Sequence, residues 1–113
     1  MTARNSLSSA PPYAVEDAIK RLGTDLRTAR LRRNLSIATV AEKIGAGVRA
    51  VTDAEKGKPS SGVAVYAALL WTYGMVDRFG ALADPATDHE GLALSLASER
   101  DRARESNALD NDF

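Results

Sequence analysis

The chain from Leu35 to Gly57 carries two short runs of apolar residues at helical spacing, separated by a glycine-bearing connection. Ser36 stands where a helix cap is expected, and Gly45 stands where a helix commonly ends in a left-handed residue. The apolar positions of this first run are Val40, Ala41 and Ile44. The second run has its repeating positions at Val48, Val51, Ala54 and Glu55. Gly57 and Pro59 end it. The pattern predicts two short helices joined by a tight turn, as in a helix-turn-helix unit.

Longer apolar patterns flank this pair on both sides. A helix from near Val15 to Arg33 is predicted before it, with an acidic first turn and a basic last turn. After the pair, Ser61 can cap a fourth helix that is apolar nearly all round, which is typical of a core element. The large apolar side chains there exceed what a small domain requires, which indicates a dimer or partner surface. This surface would contain Trp71, Tyr73, Met75 and Phe79.

The helical pattern of the domain ends at Asp84 and Pro85, because a helix rarely continues through the residue before a proline. We therefore divide the chain into a flexible leader (1–12), a helix-turn-helix domain (13–83), a C-terminal extension (84–105) and a disordered acidic tail (106–113). Within 91–97, three leucines alternate as in a strand, yet strong helix formers surround them, so helix is favoured and strand is the alternative. Phe113 is a hypothetical anchor through which the tail would order on a partner.

Charge is distributed unevenly along the 113 residues, although the formal net charge is zero. Residues 1–58 contain eleven basic and six acidic side chains, whereas residues 59–113 contain four and nine. The first half is therefore suited to face phosphates, while the second faces a partner or avoids the nucleic acid. Part of the same charge asymmetry has another explanation, since basic residues at the end of the first helix complement the dipole of that helix.

Several function classes are disfavoured by what the sequence lacks. It contains no cysteine, which excludes a disulfide framework and a thiol nucleophile and suits a reducing cytoplasm. No apolar run reaches membrane-spanning length, and Met1 to Pro12 lacks the hydrophobic segment of a secretory signal. The sole histidine, His89, has no second histidine or cysteine with which to bind a metal. We therefore expect no enzymatic activity, no cofactor and no metal site.

The run from Leu22 to Leu82 resembles the Xre, or phage-repressor-like, helix-turn-helix family. The resemblance is carried by LRTARLRRNLS, by the pieces VAEKIG and EKG inside the unit, and by PSSGVAVYAALLWTYGM after it. It implies an all-α fold of five helices. Within that family, the opening and the ending ALLWTYGMVDRFGALADP look most like HipB-like antitoxins, the DNA-binding halves of toxin-antitoxin modules whose toxins have a protein-kinase fold. The resemblance also implies a structural salt bridge between Arg30 and Glu55.

The same resemblance places the candidate DNA contacts. Arg49 is the best candidate to read a base, since a guanidinium can donate two hydrogen bonds to guanine. The full base-reading set is Val48, Arg49, Thr52 and Asp53. Positioning on phosphates would come from Ser36, Lys43, Lys56, Lys58 and Ser60. For each of these residues, an ordinary solvated surface role is the alternative.

Some positions depart from the family pattern. Ile37 replaces the usual glutamine, Gly47 and Val48 replace polar residues, and Asp53 replaces a polar or basic residue on the second helix. An acid beside phosphates weakens binding unless it accepts a hydrogen bond from cytosine. The favoured function is a homodimeric, cytoplasmic, nucleoid-associated antitoxin and autorepressor that binds an operator palindrome in double-stranded DNA and neutralises a HipA-like kinase toxin. The alternatives are a protein-interaction subunit that has lost operator reading and a stand-alone phage-type repressor.

Overall fold

A computed structural model describes residues 6–111, and the regular elements within that range are all helices, which confirms the all-α class. The chain forms two compact units that divide between Phe79 and Gly80. The α-helices, in chain order, are α1 (Ser6–Ser9), α2 (Tyr13–Arg32), α3 (Ile37–Ile44), α4 (Val48–Glu55), α5 (Val63–Thr72), α6 (Val76–Gly80) and α7 (His89–Asn111). A 3-10 helix (Pro85–Thr87) precedes α7 in the second unit.

Both short helices predicted around the turn form with the expected ends. The hydroxyl oxygen of Ser36 accepts the Thr39 backbone N–H at 3.0 Å and caps α3. Gly45 ends α3 with a φ of 72°, so the chain turns within three residues and re-enters a helix at Val48. The cap predicted for α5 is wrong, because Gly62 and not Ser61 occupies its N-cap position and no side chain caps it.

The two chain ends are more helical than their composition indicates. Helix α7 includes the whole of 91–97, so helix and not strand is confirmed there. It continues to Asn111, through a segment predicted to be disordered, because alanine, leucine, glutamate and arginine propagate a helix once it has begun. The turn α1 likewise falls within the predicted flexible leader. Residues 1–5 and 112–113, and with them the suggested anchor Phe113, lie outside the described residues.

The core of the first unit lies where α2, α3, α4 and α5 pack on one another. Its buried apolar side chains are Leu26, Ala29, Val40, Ala41, Val51, Ala54, Tyr66, Leu69 and Tyr73. They recur at helical spacing within each helix, so the predicted amphipathic stripes are the faces that pack. In α2, the predicted apolar face is buried at Leu26 and Ala29, whereas Val15, near the start of the helix, is exposed.

A buried ion pair joins α2 to α4. The Arg30 guanidinium donates to both carboxylate oxygens of Glu55, from Nε at 2.7 Å and from Nη2 at 3.0 Å. Its remaining nitrogen, Nη1, donates to the Leu35 carbonyl at 2.9 Å, immediately before α3. One side chain therefore fixes three consecutive elements, and hydrogen bonding to Glu55 raises the pKa of Arg30 further above its ordinary value.

The backbones of α2 and α4 also approach closely, at a point the sequence patterns did not reveal. A Cβ atom at Gly23 would lie 2.5 Å from the Ala54 carbonyl oxygen and 2.7 Å from that of Glu55. A Cβ atom at Gly57, where φ is +70°, would lie 2.6 Å from Cα of Lys20. Both glycines are needed because there is no room for a side-chain carbon between the helices.

We expect substitution of either partner of the Arg30–Glu55 pair to destabilise the first unit severely. Arg30→Met or Glu55→Gln leaves the other charge buried without its partner, which typically costs about 3–5 kcal/mol. The double variant Arg30→Met/Glu55→Leu should recover a large part of that loss, because neither charge then remains. Urea denaturation, monitored by circular dichroism, measures the stability of the two single variants and the double variant. A single variant that loses less than about 1 kcal/mol would contradict a buried, desolvated pair.

Gly23→Ala tests the close approach of α2 to α4. In an open helix, alanine is about 1 kcal/mol more favourable than glycine. At Gly23, however, the added carbon meets backbone atoms that no rotamer change can move, so we expect a lower midpoint of urea denaturation. The matched control is Thr24→Ala, an exposed neighbour in the same helix, which should leave stability unchanged or raise it slightly. If both substitutions are stabilising, the helices are not in backbone contact there.

Candidate nucleic-acid interface

The helices α3 and α4 present the candidate interface because each buries one face and leaves the other free. Helix α3 packs Val40 and Ala41 into the core, and α4 packs Val51 and Ala54 there. The short connection between the helices keeps α4 fixed relative to α3. In a helix-turn-helix unit, this arrangement lets one helix enter the major groove while the other crosses the backbone.

The outward face of α4 begins with Val48 and Arg49. Val48 is exposed, and the Arg49 side chain is 86% exposed, so both can reach a groove without any change of fold. Thr52, one turn later, is half-buried and its hydroxyl donates to the Val48 carbonyl at 2.9 Å. The oxygen of that hydroxyl retains acceptor capacity, but its proton is already used within the helix.

Asp53 lies between two of the candidate cations. One carboxylate oxygen is 3.1 Å from Nζ of Lys58, and the other is 3.8 Å from Nε of Arg49. The Asp53 side chain is 24% exposed, but Arg49 is 86% and Lys58 44% exposed, so water screens both contacts. A predicted base reader and a predicted phosphate contact are thus paired to the same carboxylate, an arrangement that the sequence pattern did not indicate.

The other candidates for phosphate contact fall into two groups. Lys56 and Ser60 are exposed at the end of α4 and in the loop that follows, where both are open to a ligand. Ser36 is used in capping, since its hydroxyl also donates to Thr39 Oγ1 at 2.9 Å. The Lys43 ammonium lies over the Trp71 ring, 5.4 Å from its centroid. Such a contact typically contributes about 0.5–1 kcal/mol at an exposed site, so it orients Lys43 without immobilising it.

The aromatic surface predicted for a dimer or partner is smaller than expected. Trp71 is 55% exposed, whereas Met75 and Phe79 are half-buried. Tyr73 is 4% exposed and belongs to the core, so its assignment to a partner surface is wrong. Tyr73 is the C-cap residue of α5 and continues the spacing of Tyr66 and Leu69, so its ring lies on the buried face of that helix.

Arg33 contacts Tyr73 there, a role that its place at the basic end of the predicted first helix does not indicate. Its guanidinium lies over the Tyr73 ring, 5.3 Å from the centroid. It also donates to the Ala29 carbonyl at 2.9 Å and to the Tyr73 carbonyl at 3.2 Å. The end of α2 is therefore tied to the end of α5 through one side chain.

Among residues 6–111, no three histidine, cysteine, aspartate or glutamate side chains are grouped closely enough to hold a metal ion. His89 is the first residue of α7. None of the helices described has both the length and the apolar character that crossing a bilayer demands.

Comparison of the chain with protein-family models, with curated proteins and with solved structures found no match in any of the three. Functional inference consequently rests on the residues and the geometry of this chain.

Buried tyrosines predict a loss of stability at alkaline pH. Burial raises the pKa of both Tyr66 and Tyr73 above the ordinary value near 10. Since the folded-state pKa exceeds the unfolded one, this contribution to stability is complete below about pH 10 and is lost as the pH rises through the folded-state values. The Tyr73 hydroxyl also finds no hydrogen-bond partner among the described residues.

Tyr73→Phe should therefore reduce the loss of stability at alkaline pH. It should also raise stability at neutral pH by up to about 1 kcal/mol, because an unsatisfied buried hydroxyl is removed. Tyr13→Phe, at an exposed tyrosine of α2, is the matched control and should change neither. Urea midpoints measured from neutral to alkaline pH provide the test. A destabilised Tyr73→Phe variant would mean that the hydroxyl is hydrogen-bonded in solution.

Proposed function

We propose that this chain is a sequence-specific reader of double-stranded DNA that acts as a transcriptional repressor. The observation that carries the proposal is the disposition of α4. One face of this helix is buried against α2, α3 and α5, and its first turn presents Val48 and Arg49 outward. A helix held this way is the part that a helix-turn-helix protein inserts into the major groove.

The charge distribution supports the same proposal. Residues 13–58, which contain α2, α3 and α4, hold ten basic and six acidic side chains, with Arg33, Lys56 and Lys58 just beyond the helix ends, while the acidic excess lies after residue 58. Phosphate contacts provide most of the affinity of such proteins, and base contacts provide the specificity. Lys56 and Ser60 are the exposed phosphate candidates, and Arg49 is the base reader for which a guanine is the natural partner.

In this proposal the protein acts as a homodimer. One recognition helix contacts few bases, whereas two helices related by a two-fold axis read a palindrome about one DNA turn apart. The exposed ring of Trp71 offers aromatic surface in the first unit for such an interface. The operator is accordingly expected to be an inverted repeat.

The finer biological role in this proposal is that of an antitoxin that represses its own operon and neutralises a HipA-like kinase toxin in the cytoplasm. Support for this role comes from the resemblance of the LRTARLRRNLS opening and the ALLWTYGMVDRFGALADP ending to HipB-like antitoxins. Co-expression with a kinase-fold toxin encoded beside the gene tests the role: rescued growth supports it. If no such neighbour exists, the stand-alone repressor role takes its place.

One observation favours a second candidate, a protein-interaction subunit on a helix-turn-helix scaffold. Asp53 is paired with Arg49 and Lys58, so two cations suited to DNA are partly neutralised in the free protein. On this alternative, Trp71 contributes to a protein-binding surface, and affinity for any duplex is low.

The Arg49→Ala variant separates these functions. Fluorescence anisotropy would compare the duplex upstream of the gene with a scrambled duplex of the same composition. For a base reader, we expect Arg49→Ala to lose about 1–3 kcal/mol on the upstream duplex and much less on the scrambled one. The fold should be intact, because Arg49 is exposed and packs on nothing in the core.

The matched control is Arg78→Ala, which removes the same charge from an exposed position on α6. It should weaken binding to both duplexes slightly and equally. Equal, weak binding of the unaltered protein to both duplexes would contradict sequence-specific reading and favour the protein-interaction subunit.

A further inference from the structure

The end of α4 is built so that it delivers a lysine to a carboxylate of the same helix. Gly57 takes a left-handed conformation, the Lys58 N–H donates to the Asp53 carbonyl at 3.1 Å, and the Gly57 N–H donates to the Ala54 carbonyl at 3.0 Å. This is the Schellman ending of a helix. It folds Lys58 back over the last turn, and its ammonium meets the Asp53 carboxylate at 3.1 Å.

The position of Lys58 is further fixed by the neighbouring elements. Gly57 packs on the backbone of α2 at Lys20, and the Tyr66 hydroxyl of α5 donates weakly to the Lys58 carbonyl at 3.4 Å. The lysine is therefore held at its backbone on two sides, unlike a lysine on an open helix surface. The helix ending therefore places the Lys58 backbone where its side chain reaches Asp53.

On the other side, Asp53 faces Arg49 one turn earlier on the helix, at 3.8 Å. With Arg49 four residues before Asp53, the two side chains lie on the same face of α4. The carboxylate thus lies between a cation suited to a base and a cation suited to a phosphate. A carboxylate in this position competes for the same donors that a DNA duplex would engage.

We propose that Asp53 sets the DNA affinity of this protein by acting as an internal counterion for Arg49 and Lys58. The inference rests on the proposed DNA-binding function. In the free protein the Asp53 carboxylate contacts the Lys58 ammonium at 3.1 Å and lies 3.8 Å from Arg49 Nε. On a duplex, Lys58 leaves the carboxylate for a phosphate while Arg49 turns to a base edge. Asp53 thereby lowers affinity for DNA of any sequence without contributing to the reading of bases.

The test compares Asp53→Asn with the unaltered protein on the upstream duplex and on the scrambled duplex, at about 50 mM and about 200 mM salt. Asparagine keeps the size of the side chain and removes its charge. We expect binding to both duplexes to strengthen by about three- to tenfold at the lower salt. The slope of log affinity against log salt should steepen by roughly one, because the freed Asp53 carboxylate takes up a salt cation when Lys58 moves to a phosphate, whereas asparagine takes up none.

Two further variants separate this effect from a change of net charge. Asp77→Asn removes the same charge from an exposed position on α6 and should change affinity less than twofold. In a Lys58→Gln background, Asp53→Asn should lose most of its effect on the salt slope, because the released cation is absent. Circular dichroism melting curves establish that each variant is folded.

Other outcomes overturn the inference. An Asp53→Asn variant that binds the upstream duplex more weakly, with the scrambled duplex unaffected, would show that Asp53 accepts a hydrogen bond from a base. Equal effects of Asp53→Asn and Asp77→Asn would show that only net charge matters. If none of the proteins binds either duplex, the proposed function itself fails, whereas binding that appears only in Asp53→Asn supports the internal counterion.

Discussion

The contact between Arg30 and Glu55 is the constraint on which the first unit depends. Each of the two buried charges is stabilised by the other, because either charge alone would be left buried without compensation. Since both nitrogen–oxygen contacts are made and Arg30 also binds the Leu35 carbonyl, α4 can lie on α2 in only one register. That register decides which residues of α4 face outward. The exposure of Arg49 therefore follows from a salt bridge to which Arg49 itself does not belong.

The depth at which α4 lies on α2 is set by a second constraint, the absence of side chains at Gly23 and Gly57. The left-handed conformation of Gly57 also ends α4 and turns Lys58 back toward Asp53. One short segment thus contributes to stability and to the electrostatics of the candidate interface. A substitution at Gly57 would disturb both, which makes it a poor probe of either.

Local patterns predicted much of this architecture. The all-α class, the ends of α3 and α4, and the helix over 91–97 depend on capping, spacing and intrinsic propensity, which are properties of neighbouring residues. Tyr73 contacts Arg33, forty residues earlier in the chain, and Gly23 is required by a helix that lies elsewhere in the sequence. The pairing of Asp53 with Lys58 crosses a helix end, where helical periodicity no longer indicates which side chains meet. These features belong to the tertiary structure.

The pairing at Asp53 is better suited to adjust DNA binding than to abolish it. Ion pairs near a surface typically contribute about 1 kcal/mol or less, so a duplex that offers a phosphate and a guanine can displace the carboxylate at modest cost. This loss of binding free energy applies to every DNA sequence, because it arises when the cations leave Asp53 and not when a base is read. Binding to arbitrary DNA, which depends on phosphates alone, is weakened by the same amount as specific binding but starts from a lower affinity. If the proposed DNA binding holds, an internal counterion of this kind would lower the affinity for every sequence alike and would leave the ranking of sites to Arg49.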